Sequence, residues 1–312
     1  MTMNQRQLSY LIFEMKNSFL AGENVMAKAR AILSKGLVNS ENATIATLIA
    51  YDLQAGSYVA ETLKNPARKD RWCEQAASLI ETQISDRDSI LEIGVGEGTT
   101  LSGVLKYLKK DLSAYGMDIS WSRLAVANEW LSENLLSARL FVGDLLNIPL
   151  ADNSVDVIYS SHSLEPNGGN ERQAIMECLR VSRKAVVLIE PIFELANYKA
   201  QERMKSHGYV RNLYLTAESL GVEIIDYKLL EFTANPLNPS GVLILRKLVK
   251  EAIRNGDEVE KNWKCPLTGG ALKPGGDVFF APDQGIAYPV LRDIPLLRVE
   301  HAIVASKLSD RT

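Results

Sequence analysis

The stretch Ser89–Thr100, S-I-L-E-I-G-V-G-E-G-T-T, decides how the rest of the 312-residue chain is read. Ile90, Leu91 and Ile93 make a short buried strand, and Gly94, Gly96 and Gly98 then recur at every second position. A helical pattern begins at Thr99. A strand that turns through glycines into a helix N-terminus exposes backbone N–H groups and lets a ligand approach the main chain. The spacing G-x-G-x-G differs from the dinucleotide fingerprint G-x-G-x-x-G, whose third glycine would fall at Thr99. Glu92, two residues before the first glycine, would repel a pyrophosphate, and more strongly as the site loses water. A cationic ligand suits it better.

Outward from this stretch, the segment from Ser89 to about residue 249 alternates strands and helices, the pattern of a parallel, doubly wound sheet. Strands are expected at Ala114–Asp118, Ala138–Val142, Ser154–Tyr159 and Ala185–Glu190. Two more are expected at Val222–Leu230 and Gly241–Leu245, which the family resemblance given below would make a closing antiparallel hairpin. Asp118 ends the second strand about twenty residues after the glycines, where such folds place a carboxylate on ribose hydroxyls. It could also cap the following helix, but Ser120 can fill that role.

With these residues in place, the segment resembles the class I S-adenosylmethionine-dependent methyltransferases of small-molecule type. Ser89–Gly98 matches their motif (D/E)-x-G-x-G-x-G, and Asp118 their second motif. Asp144-Leu145 matches their adenine-contacting pair, and Val155–Glu165 their fourth motif. Val155, Ser163 and Pro166 depart from that last pattern. The resemblance implies a Rossmann-like α/β fold with a seven-stranded, mostly parallel sheet, and S-adenosylmethionine as cofactor. It implies cofactor contacts from Glu92, Gly94, Gly96, Gly98, Asp118, Ile119, Asp144, Leu145 and Ser160. The N-P-P-Y or D-P-P-Y signature of amino-methyltransferases acting on adenine or glutamine is absent, which argues against those acceptors.

Residues 1–86 read as a helical cap. Leu8, Leu11, Ile12, Met15 and Phe19 recur at helical spacing, as do Val25, Ala29, Ala31 and Ile32. A third helix is N-capped by Ser40 and carries Ile45, Leu48 and Ile49. A fourth follows Pro66 and turns Trp72, Ala76, Leu79 and Ile80 inward. The cap is either a packing layer or a lid that keeps water from the reacting methyl group. Tyr58 is correspondingly a cofactor contact or an ordinary helix-end tyrosine.

For catalysis the candidates are His162, just past the fourth strand, as base or acceptor contact, and His207 in the segment Lys205–Tyr209. Arg203, Lys205 and Arg211 read as a solvated basic face. Asn235–Pro239 either borders the pocket or is a plain turn. His301 lies in the tail, residues 301–312.

After a charged linker, residues 250–262, the texture changes. Residues 263–300 resemble a small zinc-ribbon-like module of the kind found in a methyltransferase-activator subunit. Cys265-Pro266, Tyr288-Pro289-Val290 and Ile294-Pro295-Leu296-Leu297 carry that likeness. Thr268, Ala281 and Gln284 stand where three of its four cysteines would be, and one thiolate cannot make a structural zinc site. The module is therefore expected to be metal-free, held by Val278, Phe279, Phe280, Ile286 and Val290, and to pack on the catalytic domain or make a homodimer contact.

Composition sets outer bounds. Apolar residues make up 46% and charged residues 23% of the chain, as in an ordinary globular protein. The net charge is −3 and the pI about 5.8, which speaks against a nucleic-acid substrate. Three scattered cysteines do not read as a disulfide framework, and no stretch has the length of a membrane helix. The expectation is a cytoplasmic O- or N-methyltransferase acting on a small, possibly sugar-derived molecule, without nucleic-acid or membrane partners. The rival readings are a tRNA-modifying enzyme and a non-catalytic, cofactor-binding regulator.

Overall fold

A computed structural model describes residues 5–34, 40–247 and 263–308. The expected linker, residues 250–262, lies outside the described residues. The central sheet has seven strands in the order β3-β2-β1-β4-β5-β7-β6. They are β1 (Ser89–Ile93), β2 (Ser113–Asp118), β3 (Arg139–Val142), β4 (Val155–Ser161), β5 (Ser182–Pro191), β6 (Glu223–Leu229) and β7 (Ser240–Arg246). The first five run parallel, and β7 is antiparallel to both β5 and β6. Strand order, not direction, reverses between β1 and β4, so a crevice opens at their carboxyl ends.

All five residues of β1 are buried, as a strand covered on both faces requires. Alternation sends Leu91 and Ile93 to one face, packed with Tyr115, Met117, Phe141 and the apolar side of α8 (Glu171–Val181). Ile90 points to the other face, among residues of α5 (Pro66–Glu81), α6 (Thr99–Leu108) and α7 (Trp121–Glu133). Glu92 therefore enters the α5–α6 side with no apolar neighbour able to satisfy it.

Before the sheet, α1 (Gln5–Leu20), α2 (Val25–Ser34) and α3 (Ser40–Leu53) form their own small core. On α3 that core is centred on Ala46 and Ala50, and Ile45 and Ile49 are only partly buried. The expected inner face is thus rotated toward the two alanines. A helix not expected from sequence, α4 (Ser57–Lys64), follows Gly56, whose φ of 95° suits glycine.

Residues 263–308 form a second, antiparallel sheet from β8 (Trp263–Lys264), β9 (Ala271–Gly275), β10 (Val278–Ala281), β11 (Ile286–Leu291), β12 (Ile294–Pro295) and β13 (Ile303–Val304). β13 pairs with Ile286 and Ala287, so part of the expected tail belongs to this unit. Trp263, Leu272, Phe279, Ile286 and Tyr288 fill its interior, while Val278, Phe280 and Val290 are half-buried. Val290 still packs against this core, whereas Val278 and Phe280 take the alternate face of β10 and do not anchor it as expected. The unit packs on the outer edge of the large sheet, where Leu296 bridges Val142 in parallel register.

Candidate cofactor and acceptor site

A cavity of about 790 Å³ sits at the carboxyl ends of β1, β2 and β4, roofed by α3, α4 and α5. The glycine turn forms its floor. Gly94, Gly96 and Gly98 have φ of 66°, 54° and 71°, in the left-handed region that other residues enter only with strain. A Cβ on Gly94 would stand 2.2 Å from the Cβ of Ser163, so a side chain there would push the β1 and β4 turns apart.

Glu92 is 2% exposed and accepts a hydrogen bond from the Tyr159 hydroxyl at 2.7 Å. Burial pushes its carboxyl up to about 8, against the opposing pull of Tyr159 and of the Lys69 ammonium. Lys69, from α5, donates to Thr100 Oγ1 at 2.7 Å at the start of α6 and faces the same cavity. Among the described residues it has no carboxylate within ion-pair distance. Burial holds its pKa below the usual lysine value, although Cys73, Glu92 and Glu97 pull the other way. The cavity thus offers a buried acid and a half-buried cation on one lining, a match for a zwitterionic amino-acid group.

Asp118 is also buried. Its Oδ2 accepts from the Gly96 N–H and its Oδ1 from the Ser120 N–H, both at 2.9 Å. It therefore binds the glycine turn to the start of α7 while lining the cavity beside Ile119. Ser120 is the N-cap of α7, accepting from Arg123 N at 3.3 Å. Asp144 Oδ1 accepts from the Leu146 N–H at 2.8 Å, closing a tight turn that presents Asp144 and Leu145 to the cavity.

Ser160 is a correction. It is fully buried and does not line the cavity, whereas the next residue, Ser161, does. Strand alternation turns Ser160 toward the interior one position before the chain leaves the sheet. Ser161 Oγ accepts from Trp72 Nε1 at 3.2 Å.

Tyr58 lines the cavity with its ring 4.4 Å from the Arg123 guanidinium. Arg123, 3% exposed, also donates to the Tyr51 carbonyl at 3.0 Å and lies 3.7 Å from Glu97 Oε1. Glu97 Oε2 accepts from the Val59 N–H at 2.8 Å. Glu97 and Arg123 thus clasp the cap to the glycine turn, and neither was marked by the sequence. An acid inside G-E-G, where a solvated loop residue is the simpler reading, was the one available signal for Glu97.

The same cavity is also lined by Trp72, His162, Asn167, Phe232 and Ala234. His162 has a left-handed φ of 59° and both ring nitrogens engaged: Nδ1 with Glu165 Oε2 at 2.7 Å, Nε2 with Ser240 Oγ at 2.8 Å. Burial works to lower its pKa, but the Glu165 hydrogen bond and charge, with Glu190 behind, hold it above the usual imidazole value. In this arrangement no ring nitrogen is left to take an acceptor's proton. Glu190 accepts from the N–H groups of Ser163, Leu164 and Glu165 and so shapes the turn that carries His162.

His207 lies elsewhere. It ends α9 (Tyr198–Ser206), engages the Arg203 carbonyl through Nδ1 at 2.8 Å, and does not line the cavity. Asn235–Pro239 belongs to the β6–β7 connection, whose Phe232 and Ala234 do line it. α5 secures this connection through Gln75, which exchanges two hydrogen bonds with the Phe232 backbone, and through Arg68, which donates to the Ala234 carbonyl.

In the second sheet, Cys265 Sγ meets the Tyr288 hydroxyl at 3.4 Å, and the side chain of Gln284 closes on Gly270. Among the described residues no group of three or more His, Cys, Asp or Glu is placed to hold a metal ion. Nor is any described helix long and apolar enough to cross a membrane.

Residues 90–185 match the family model described as a methyltransferase domain. YrhH of Bacillus subtilis, a provisionally named methyltransferase, is 31% identical over 98 residues, which is 31% of this chain and 53% of that protein. An uncharacterized 37.1 kDa protein in a Streptomyces fradiae transposon is 27% identical over 128 residues, 40% of this chain and 36% of its own. The chain thus spans about a third to a half of the length of these curated relatives. Among solved structures, an S-adenosylmethionine-dependent methyltransferase from Aquifex aeolicus superposes with a TM-score of 0.46 at 17% identity, covering 60% of this chain and 95% of that one. The family match, on the strands that build the glycine turn, Asp118 and Asp144, identifies this segment as a class I methyltransferase domain whose cofactor is S-adenosylmethionine.

Proposed function

We propose that the protein transfers the methyl group of S-adenosylmethionine to an oxygen or nitrogen of a small-molecule acceptor. The observation that carries this reading is a single roofed cavity whose lining joins charged groups, Glu92, Lys69, Asp118 and Asp144, to an aromatic set, Trp72, His162 and Phe232. A volume of about 790 Å³ suits a cofactor with a small partner rather than a macromolecular face.

Glu92 and Lys69 would hold the ammonium and carboxylate of the cofactor's methionine part. Asp118 would take the ribose hydroxyls, with Asp144 and Leu145 against the adenine. Bound there, the cofactor supplies an electrophilic methyl on a sulfonium. The chain's own work is in-line placement and exclusion of water. Tyr58, Tyr51 and Arg123 close the roof over the donor end, and Trp72 and Phe232 give the acceptor an aromatic wall. With both nitrogens of His162 committed, its role is to position the acceptor side of the cavity. An amine acceptor that loses its proton near neutrality fits this better than a hydroxyl needing a strong base.

The test is incubation of the protein with methyl-labelled S-adenosylmethionine and a cell extract resolved into small-molecule, RNA and protein fractions. Label is expected in the small-molecule fraction. Label confined to RNA would favour the tRNA-modifying reading, and absence of transfer despite cofactor binding would favour the regulator.

A further inference from the structure

Arg123 lines the cavity with its hydrogen bonding incomplete. It is 3% exposed and belongs to the first turn of α7. Its Nε donates to the Tyr51 carbonyl at 3.0 Å, and its Nη1 stands 3.7 Å from Glu97 Oε1. Its Nη2 is buried and has no hydrogen-bond partner among the described residues, and neither has Glu97 Oε1. A guanidinium carries five N–H donors and keeps its charge, so a donor withdrawn from water needs an acceptor. At 3.7 Å the contact with Glu97 supplies charge without a hydrogen bond.

The neighbours say which acceptor fits. Asp118 lines the same cavity; burial raises its pKa, and the Arg123 charge opposes that rise. Its two oxygens accept from the Gly96 and Ser120 N–H groups, and a carboxylate has lone pairs left after two such bonds. A phosphate would suit Arg123 but be repelled by Asp118 and Glu97. A hydroxyl can donate to a carboxylate and accept from a guanidinium at once, so it suits both residues. The cap meets the same arginine. The rings of Tyr58 and Tyr51 lie 4.4 and 5.1 Å from its guanidinium, and the Val59 N–H donates to Glu97 Oε2.

We propose that Arg123 reads a hydroxyl of the bound ligand together with Asp118, and that this contact fixes residues 51–59 of the cap over the cavity. The proposal rests on the reading of the cavity as the S-adenosylmethionine site, whose ribose supplies the hydroxyl. Arg123 thereby becomes a specificity-determining residue for the nucleoside, and cap closure becomes a consequence of ligand binding.

The test uses full-length protein and calorimetric titration with S-adenosylhomocysteine, with adenosine, 2′-deoxyadenosine and 3′-deoxyadenosine as competitors. In the wild type, one of the two deoxynucleosides is expected to bind about 30-fold more weakly than adenosine. In Arg123→Met, adenosine is expected to lose about tenfold, about 1.4 kcal/mol, while that deoxynucleoside loses less than about twofold. An equal loss for all three nucleosides would make Arg123 a structural support and overturn the proposal. Hydrogen exchange at residues 51–59 is expected to slow about tenfold with S-adenosylhomocysteine in the wild type and less than about twofold in Arg123→Met. Equal slowing in the two proteins would overturn the link to the cap. If Arg123→Met does not fold, the wild type decides. At matched occupancy, adenosine should slow exchange at residues 51–59 and the disfavoured deoxynucleoside should not; equal slowing by both would overturn the proposal. S-adenosylhomocysteine binding with no competition from adenosine would overturn it too. A wild-type protein that binds no S-adenosylhomocysteine would instead overturn the reading beneath it.

Discussion

Two sets of residues around the cavity, which the proposed function assigns to a donor and an acceptor end, are built in different ways. The donor end is made by strand termini and the turns that follow them: Glu92 and Gly94 after β1, Asp118 after β2, Asp144 after β3. The acceptor end is assembled from segments far apart in the chain. Gln75 reaches the Phe232 backbone across 157 residues and Arg68 the Ala234 carbonyl across 166, while His162 joins Ser240 across 78. Parallel strands fix the first end wherever the fold forms. Side-chain pairs between a cap helix and a hairpin loop fix the second, so its shape can vary without disturbing the sheet.

Substitutions should separate the two ends. The largest effect is expected from Asp118→Ala, which removes the proposed ribose partner and frees the Gly96 and Ser120 N–H groups together. S-adenosylhomocysteine binding should weaken by about 100-fold, about 2.7 kcal/mol, in calorimetry.

Glu92→Gln should weaken the same ligand by about tenfold yet raise the melting temperature of the free protein. The sign follows from burial. The folded carboxyl titrates near 8, above its value of about 4.5 in a model peptide. The folded state therefore holds a proton that the unfolded state has lost, and wild-type stability falls as pH rises from about 4.5 through about 8. The gain from Gln should grow over that window and level off above it.

Lys69→Met tests the donor end from the opposite charge. It should weaken S-adenosylhomocysteine by about fivefold but leave adenosine, which has no carboxylate, unchanged in the same titration. The smallest effect on the cofactor should come from Gln75→Ala. Affinity for S-adenosylhomocysteine should stay within about twofold, while hydrogen exchange at Phe232 and Ala234 should speed up as the acceptor wall loosens. A loss of cofactor affinity in Gln75→Ala would mean that the two ends are coupled.

This division also explains what the sequence made legible. The strands and the position of Asp118 follow from local signals, namely short apolar runs ending in glycine or aspartate, whereas the antiparallel closing hairpin and the part given to Asp144 came from the family resemblance. Ser160 lies one residue from the cavity-lining Ser161, because the alternation of β4, which runs on to Ser161, turns Ser160 inward. Lys69 sat in the run R-K-D-R, indistinguishable from a solvated helix face until α5 is docked on α6. Arg123 and Glu97 carry no periodic signal, since each is defined by a partner on the cap. The Ala46–Ala50 face of α3 was hidden because small residues score weakly in an apolar pattern even where they permit the closest packing. In the C-terminal unit, the likeness carried by Cys265-Pro266 and Tyr288-Pro289 gave no hint that Trp263 and Leu297 reach the edge of β3.

The central claim is that this cavity takes S-adenosylmethionine with Glu92 on its ammonium. Titration of the wild-type protein with S-adenosylhomocysteine between about pH 6 and about pH 7.5, where the ligand's ammonium stays protonated, tests it most directly. With a free-protein carboxyl titrating near 8, ammonium binding must expel a proton over this range. One saturable site is expected, with affinity rising by up to about tenfold per pH unit. No saturable binding at millimolar ligand, or an affinity flat across the range, would contradict it.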